Sequence, residues 1–426
     1  KTEKRTLMKN LLILGAGTAG TIMASHLRKK LSKPDWTITL IDRAPDHYYQ
    51  PGYLFMPFGI YTEDDVRRPM KRTVPRGIDY READVDRIDT ETNRVLLQDG
   101  TGIPYDILII ATGVHPAPDQ VEGMVNGDWR KNVHEFYTFD GAQALTERLK
   151  SWQGGKLVVH ICEMPIKCPV APLEFCFLAD AWLQKQGLRD KTEITYVTPM
   201  SGAFTKPVAS GILGKLLDEK RISVVHDFAI ARVDADKSAI VSWDEKEVPY
   251  DLLVTVPPNM GAEMIDRSGL GDELNFVPTD KHTLQSKAHA NIFVIGDATD
   301  CPTSKAGSVA HFEAEVLTEN ILHFIAGEPL RSRFDGHANC FIESGHGKGF
   351  LLDFNYDQEP VTGTFPFPGV GPMKLLGESR LNHLGKMAFK WIYWNVLLPG
   401  LPIPFIGHQM SLRGKKLPPK EMKAAA

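Results

Sequence analysis

The chain is poor in cysteine, has no long apolar run and carries no excess of positive charge. Five cysteines in 426 residues, widely spaced and odd in number, exclude a disulfide-built scaffold. They leave a few free thiols or one functional pair. No stretch of 18 clean apolar residues occurs, so a transmembrane helix is not expected. The net charge is −4, and nothing global points to nucleic acid. Lys1–Asn10 is polar and lacks the apolar core of a secretory leader. With 42% apolar and 24% charged residues, the length suffices for two or three globular domains.

The charge is unevenly spread. Residues 374–426 hold nine Lys/Arg (Lys374, Arg380, Lys386, Lys390, Arg413, Lys415, Lys416, Lys420, Lys423) against Glu378 and Glu421. That end carries +7, and the rest of the chain sums to −11. A basic end on an acidic body suits an anionic surface such as a membrane face, or is simply a solvated terminus.

What is present begins with a βαβ pattern. The apolar run Leu11–Leu14 meets Gly15-Ala16-Gly17-Thr18-Ala19-Gly20, and a helical pattern (Ile22, Met23, Leu27) follows. Thr37–Ile41 reads as a second strand ending at Asp42. Gly15 permits the tight turn, Gly17 lets backbone approach a pyrophosphate, and Gly20 lets helix lie close to strand. The helix N-terminus offers free N–H groups to phosphate. Asp42, 22 residues after Gly20, stands where a carboxylate accepts ribose hydroxyls.

The pattern has an echo. Ile103-Pro104-Tyr105-Asp106 and the strand Ile107–Ile110 resemble Val248-Pro249-Tyr250-Asp251 and Leu252–Thr255, offset by 145 residues. A similar shift takes the first strand to Lys156–Ile161. Two related nucleotide-binding-type units in tandem are the simplest account. Phe365–Pro372 and Leu398–Phe405, rich in Gly and Pro, read as loops of a third region.

Two further motifs favour FAD over NAD. Ala111-Thr112-Gly113 follows one strand, and Ile292–Ile295 ends in Gly296-Asp297. These resemble the paired signatures of the two-dinucleotide-fold flavoproteins of the glutathione-reductase type. That likeness implies that Asp297 holds the ribityl or phosphate part of the flavin. After Lys305-Ala306-Gly307 a helix begins, its positive end suited to an anionic reduced flavin, with Lys305 a candidate for added charge.

The second glycine loop is missing. Lys156–Ile161 runs instead into Cys162-Glu163-Met164-Pro165-Ile166-Lys167-Cys168-Pro169. Without close backbone approach, nicotinamide binding is not expected, and another electron donor is needed. A thiol near a flavin is chemically purposeful, and two thiols can cycle as a disulfide or persulfide. Cys168 is one candidate, and Cys340, beyond the flavin-contacting region, is the chosen partner. Cys162 and Cys176 read as buried small hydrophobes. Cys301 is a weaker candidate near Gly296-Asp297.

The chain at this point resembles the sulfide:quinone oxidoreductases over nearly its whole length. The matches are Gly15–Gly20, Asp42, Tyr49-Gln50-Pro51, Ala111–Gly113, Lys167-Cys168-Pro169, Gly296-Asp297, and Cys340 with Gly345-His346-Gly347-Lys348. The resemblance implies that Cys168 and Cys340 form the redox pair, that sulfide adds to their bridging sulfur, and that electrons pass through FAD to a membrane quinone. Several bacterial members carry a further cysteine linked to the flavin. No cysteine precedes Cys162 here, so FAD is expected to be non-covalent. No metal is expected. Glu174, six residues after Cys168 on a helix expected from near Pro172, is either a base for hydrogen sulfide or a first-turn glutamate that complements the helix dipole. Glu163 and His311 are weaker candidates of the same kind.

A quinone needs an apolar slot open to lipid. Leu381, Leu384, Met387, Ala388, Trp391 and Trp394 recur at helical spacing, with His383, Lys386 and Lys390 on another face. Tyr393 and Trp394 suit an interface and the lysines suit headgroups. Contact with a lipid surface is expected through residues about 380–410, monotopic on the cytoplasmic membrane with the side open. Phe341, Lys348 and Phe350 are the quinone-pocket candidates. The expected fold is α/β: tandem Rossmann-like domains of the glutathione-reductase type, then a C-terminal amphipathic membrane-contacting region. The FAD domain takes 1–115 and 280–340, the second domain 116–279, and the last region 341–426. A homo-oligomer is left open. The rivals are the flavoprotein subunit of a flavocytochrome c sulfide dehydrogenase, a type-2 NADH:quinone oxidoreductase, and a flavin redox sensor. The apolar basic end argues against the first, the missing glycine loop against the second, and the cysteine pair against the third.

Overall fold

The structure, a computed structural model, describes residues 8–403 and 406–417. Short apolar runs become the buried central strands of two parallel sheets. In chain order these are β1 (Lys9–Leu14), β2 (Trp36–Asp42), β3 (Asp79–Glu82), β4 (Ile107–Ile110), β5 (Val133–His134), β6 (Gly155–Ile161), β7 (Thr192–Val197), β8 (Ser223–Val225), β9 (Leu252–Val256) and β10 (Ile292–Val294). One sheet has the order β10-β4-β1-β2-β3 and the other β5-β9-β6-β7-β8, with the more exposed β3 and β8 at their edges. All neighbours within both are parallel. Each sheet is accompanied by a three-stranded antiparallel meander, at 85–104 and at 230–249.

The echo in the sequence is therefore an echo in space, down to single bonds. Asp106 Oδ2 accepts the Asn10 N–H at 2.6 Å, and Asp251 Oδ2 accepts the Lys156 N–H at 2.7 Å. In both units the acid that opens the Tyr-Asp strand pins the start of the first strand.

Helix α1 (Thr18–Lys30) follows β1, α2 (Ala171–Gln186) lies beyond Cys168, and α3 (Gly307–Ala326) follows β10. The third region holds β11 (Ala338–Gly345), β12 (Lys348–Phe354), β13 (Gly363–Phe367) and β14 (Gly371–Leu375), then α4 (Arg380–Ile392) with a π-helical turn at Tyr393–Leu397. Its sheet order is β11-β12-β14-β13.

Two expectations need correction here. Phe365–Pro372 is not a loop but most of the β13–β14 hairpin. The strands tolerate their prolines because Pro366 faces Pro372 and β13 is an edge strand, where a missing N–H breaks no interior ladder. The other concerns α4, whose amphipathicity is turned around. Its cationic face points at the protein: His383 meets Glu343 at 2.9 Å, Lys386 meets Glu174 at 2.5 Å and Lys390 meets Asp65 at 2.5 Å. These lysines do not face headgroups. Leu381, Leu384 and Trp391 point outward, with 46%, 57% and 63% of their surface exposed. Tyr393 and Trp394 are buried rather than interfacial, because the π turn shifts the register and carries them inward. Leu398–Ile403 has no helix or strand, as expected; Pro404, Phe405, Lys420, Glu421 and Lys423 lie outside the described residues. Among the described residues no helix is long and apolar enough to cross a membrane.

Candidate active site

A cavity of about 310 Å³ opens at the carboxyl ends of the first sheet's strands, where α/β folds bind ligands. The turn after β1 brings Gly15 and Gly17, and β2 ends on Asp42. Thr112 and Gly113 come after β4, Gly296 and Asp297 after β10, and Lys305 and Gly307 from the entry to α3; all line this cavity. Gly20 does not line it. A Cβ there would sit 1.8 Å from the Gly15 carbonyl oxygen, so glycine closes α1 onto the strand, as its position predicts. Gly15 itself has φ +96°, and a Cβ on it would lie 2.4 Å from the Ala111 oxygen.

These residues fit a dinucleotide. Neither α1 nor α3 has a side-chain N-cap, which leaves two sets of first-turn N–H groups for anionic groups in the cavity. Asp42 accepts the Ala16 N–H at 2.6 Å on one oxygen and the Ala44 N–H at 2.8 Å on the other. Both bonds fix the carboxylate and leave further lone pairs for a ribose. Thr112 Oγ1 is buried and has no partner among the described residues, as expected of an atom that serves a ligand. Burial pushes the Asp297 carboxyl above its ordinary range, while Lys305 and Lys167 pull it back. Lys305 lines the cavity, where its charge acts on the Asp297 carboxyl. Its Nζ donates to the Asp297 and Thr299 carbonyls, each at 2.8 Å, so it braces the Gly296-Asp297 turn.

The second sheet has lost the equivalent site. Leu14 pairs with Ile41 in the first sheet and His160 with Val197 in the second, which aligns Asp42 with Thr198. Thr198 Oγ1 still accepts the N–H two residues on, at 3.2 Å from Met200, as Asp42 does with Ala44. The turn is kept and the carboxylate is gone. Cys162, Glu163 and Met164 occupy the place of the glycine loop and line a separate pocket.

Cys168 reaches the first cavity, as does Glu174. The Cys168 backbone has φ +47°, a conformation that costs on the order of 1–3 kcal/mol outside glycine. It is held by its N–H to the Lys305 oxygen at 2.8 Å and by the Tyr137 hydroxyl, which donates to its carbonyl at 3.1 Å. Cys340, on β11 opposite Leu352 of β12, is half-buried and does not line the cavity; its charge acts on Cys168, and both cysteines feel Lys386 and Glu174. Burial pushes the Cys168 thiol up to about 12, with Glu174 adding to the rise and Lys386 opposing it. Burial pushes Cys340 up to about 11, against Lys386 and a hydrogen bond with Ser304.

Glu174 is fully buried in the first turn of α2. Its Oε1 accepts the Glu343 N–H at 2.7 Å and the Lys386 ammonium at 2.5 Å, while Oε2 has no partner among the described residues. Burial raises its pKa and Lys386 opposes the rise. For Lys386, burial alone would lower the pKa; Glu174 and the neighbouring Cys168 outweigh it and hold the ammonium charged. Its third contact is the Phe341 carbonyl, at 3.0 Å.

Sequence reasoning missed Lys386, which it assigned to headgroups, and a second link from the C-terminal region. His47 Nδ1 lies 3.0 Å from the Ala16 oxygen and Nε2 lies 2.7 Å from the Tyr393 hydroxyl, which is 2.8 Å from Thr18 Oγ1. Burial lowers the His47 pKa to about 4, so the imidazole is neutral. The phosphate-binding turn after β1, the start of α1, His47 and the π turn are thereby tied together. No local pattern marks His47 or Tyr393; only the fold brings them there.

Other candidates fall elsewhere. The Phe341 ring lies against α4, where a Cβ on Gly385 would come within 2.7 Å of it. Lys348 is exposed and paired with Glu378 at 2.9 Å, and Phe350 is buried in the core; neither lines the cavity, since the β11–β12 turn points Lys348 outward and β12 turns Phe350 in. Glu163 opens on the second sheet's pocket, and His311 is buried beside Glu315. Cys162 and Cys176 are buried, as expected; Cys301 is buried too and does not reach the cavity.

Comparison with known proteins agrees with this geometry. Residues 9–161 match the pyridine nucleotide-disulphide oxidoreductase family. The mitochondrial sulfide:quinone oxidoreductase of Dictyostelium discoideum is 29% identical over 409 residues, covering 93% of this chain and 88% of that protein. A type II NADH:quinone oxidoreductase of Staphylococcus aureus is 30% identical over 374 residues, covering 81% of this chain and 90% of that protein. The crystal structure of the sulfide:quinone oxidoreductase of Aquifex aeolicus has a TM-score of 0.76 at 22% identity, covering 91% of this chain and 92% of that one, which shows the shared fold. Against the NADH-linked relative stands the second crevice, which has neither a glycine loop nor a ribose carboxylate. The chain belongs to the pyridine nucleotide-disulphide oxidoreductase family, and over nearly its whole length it is similar to sulfide:quinone oxidoreductases.

Proposed function

We propose that this protein oxidises sulfide at a Cys168/Cys340 pair and passes the electrons through non-covalently held FAD to a membrane quinone. One observation carries the reading: two cysteines 172 positions apart share one buried charge neighbourhood, with Lys386 and Glu174, at a dinucleotide cavity. The residues suited to hold FAD are Gly15, Gly17, Asp42, Thr112, Gly113, Gly296, Asp297 and Gly307. When bound, FAD supplies a two-electron acceptor between the thiols and the quinone.

The chain's own part is thiol chemistry. Hydrosulfide attacks one sulfur of the oxidised pair, the S–S bond breaks, and a persulfide forms on one cysteine while the other leaves as a thiolate. Both thiols are pushed up by burial, so the leaving thiolate needs a cation. Lys386 is that cation. Glu174, with a raised pKa and an unpartnered oxygen on the cavity, suits a base that takes the proton from hydrogen sulfide.

The quinone side is read from the third region. Phe341, next to Cys340 on β11, sets its ring against Gly385 of α4, and α4 shows Leu381, Leu384 and Trp391 to solvent. An apolar face turned outward, with its cations turned in, suits monotopic attachment to a lipid surface that delivers quinone. We read a first domain at 1–115 with 280–340, a second at 116–279 and a third region at 341–426; the return of β10 to the first sheet supports the discontinuous first domain, whereas β11 (Ala338–Gly345) favours starting the third region a few residues earlier.

The test is turnover of a short-chain quinone with sulfide as donor. The wild type should show it, and Cys168→Ser and Cys340→Ser should each lose it while keeping the visible flavin spectrum. Loss of the spectrum along with turnover would point to a structural role, and full turnover in either variant would remove that cysteine from the pair.

A further inference from the structure

Five cations surround a pocket of about 370 Å³ that no catalytic step uses. Arg28 and Lys29 enter it from α1, and Arg68, Arg72 and Arg76 from the segment after β2. No carboxylate lines it. Arg68, Arg72 and Arg76 pair with no acid among the described residues, in a chain whose net charge is −4. The Arg68 guanidinium lies 4.2 Å over the Trp394 ring. Lys29 donates to the Pro399 and Gly400 carbonyls at 2.6 and 2.9 Å, and Arg28 Nε is buried without a partner among the described residues. Partial burial pulls Arg28, Lys29 and Arg68 below their ordinary pKa.

The fourth wall decides what would enter. Trp394, Leu398 and Pro399 close the pocket on one side, and they belong to the turn that follows α4. The outward apolar face of α4 ends at Trp391, one helical turn before Trp394, and Leu401 beyond the pocket is 45% exposed. A planar guanidinium fork matches two phosphate oxygens, and three of them with no paired carboxylate among the described residues suit a phosphodiester. Apolar surface on the same rim suits what such a group is attached to in a bilayer.

We propose that this pocket, between α1, residues 68–76 and the turn after α4, seats the phosphate headgroup of an anionic phospholipid. The inference rests on the reading that the α4 face meets a membrane, and it adds which lipid chemistry is recognised and by which residues. The basic attraction expected from the sequence then lies not on the cations of α4, which are paired internally, but on arginines 300 positions earlier in the chain.

The experiment is co-sedimentation of the full-length holoenzyme with vesicles of phosphatidylcholine alone and of phosphatidylcholine with phosphatidylglycerol. Arg72→Gln, Arg76→Gln and their double variant are compared with Lys71→Gln, an exposed cation outside the pocket. Wild type should prefer the anionic vesicles. Each pocket variant should weaken that binding about fivefold, and the double variant more than tenfold. Binding to neutral vesicles and turnover with a soluble quinone should not change. If the double variant keeps its preference, or if Lys71→Gln loses as much, the headgroup site is overturned while membrane contact stands. If no vesicle is bound, the membrane reading itself has failed and takes this inference with it. Inorganic phosphate at constant ionic strength separates lipid from free anion. Failure to displace the enzyme supports a seated phosphodiester, and displacement lost in the double variant assigns the pocket to free phosphate instead.

Discussion

The Lys386 ammonium lies 2.5 Å from Glu174 Oε1 and joins the C-terminal helix to the helix that begins three residues after Cys168. A single buried pair thus connects the region read as meeting quinone with the region that carries the first cysteine. The same ammonium is the cation that opposes the rise in both thiol pKa values.

Lys386→Met should therefore raise both thiol pKa values and leave Glu174 with the Glu343 N–H but without its cation. Sulfide-driven flavin reduction at neutral pH should fall by about tenfold or more, one pKa unit being a factor of ten in thiolate. Removing one partner of a buried pair also costs about 3–5 kcal/mol. The double variant Glu174→Gln/Lys386→Met recovers part of that stability and separates the two effects. The decisive readout is the pH profile: activity of the single variant should return at higher pH. A profile that merely scales down, without moving, would assign Lys386 a structural part only.

Tyr393→Phe removes a hydroxyl that bridges His47 and Thr18 at the phosphate-binding turn. Two bonds at about 0.5–1.5 kcal/mol each predict FAD binding weakened by roughly 5- to 100-fold, with sulfide chemistry intact once FAD is in excess. Fluorescence titration of apoprotein with FAD measures this. An unchanged affinity would show that the link to the C-terminal region plays no part in holding the cofactor.

Two buried histidines set an acid limit. Burial lowers His47 to about 4 and His160 to about 3. An unfolded histidine takes its proton near pH 6.5, so between that pH and the folded values the unfolded chain binds more protons and stability falls as pH falls. Each site should cost on the order of 3 kcal/mol by pH 4. Melting temperature against pH should show this decline beginning below about 6.5, and His160→Leu should flatten it. An identical slope in variant and wild type would rule His160 out as a source.

Leu384→Glu with Trp391→Glu places two charges on the outward face of α4. Vesicle binding should be lost while the melting temperature stays within the small range typical of surface changes, about 0.5 kcal/mol. If binding persists, another surface meets the lipid.

Much of this was legible in the sequence, and the reason is period and turn chemistry. Gly15, Gly17, Gly20 and Asp42 announce themselves because the turn, the close approach and the ribose each demand one residue type at one spacing. The 145-residue echo reads through because both Tyr-Asp strands are wholly buried and both acids make the same bond. Cys168, Glu174 and the Gly296-Asp297 turn fall on the cavity as their positions suggested. What failed is what needs a third dimension. Lys386 and Lys390 look like headgroup lysines because an amphipathic pattern fixes two faces but not which one points outward. His47 and Tyr393 meet across some 346 residues, beyond any local signal. Lys348 and Phe350 lie near Cys340 in sequence, and only the β11–β12 hairpin decides that neither lines the flavin cavity. The prolines at 366 and 372 read as loop because local propensity cannot see that they face one another.

The central claim is that sulfide, not a nicotinamide, is the electron donor. Anaerobic mixing of the holoenzyme with sulfide, and separately with NADH, while the visible flavin band is recorded tests it most directly. Sulfide should bleach the band, a short-chain quinone should restore it, and NADH should leave it untouched. Bleaching by NADH with no response to sulfide would contradict the account.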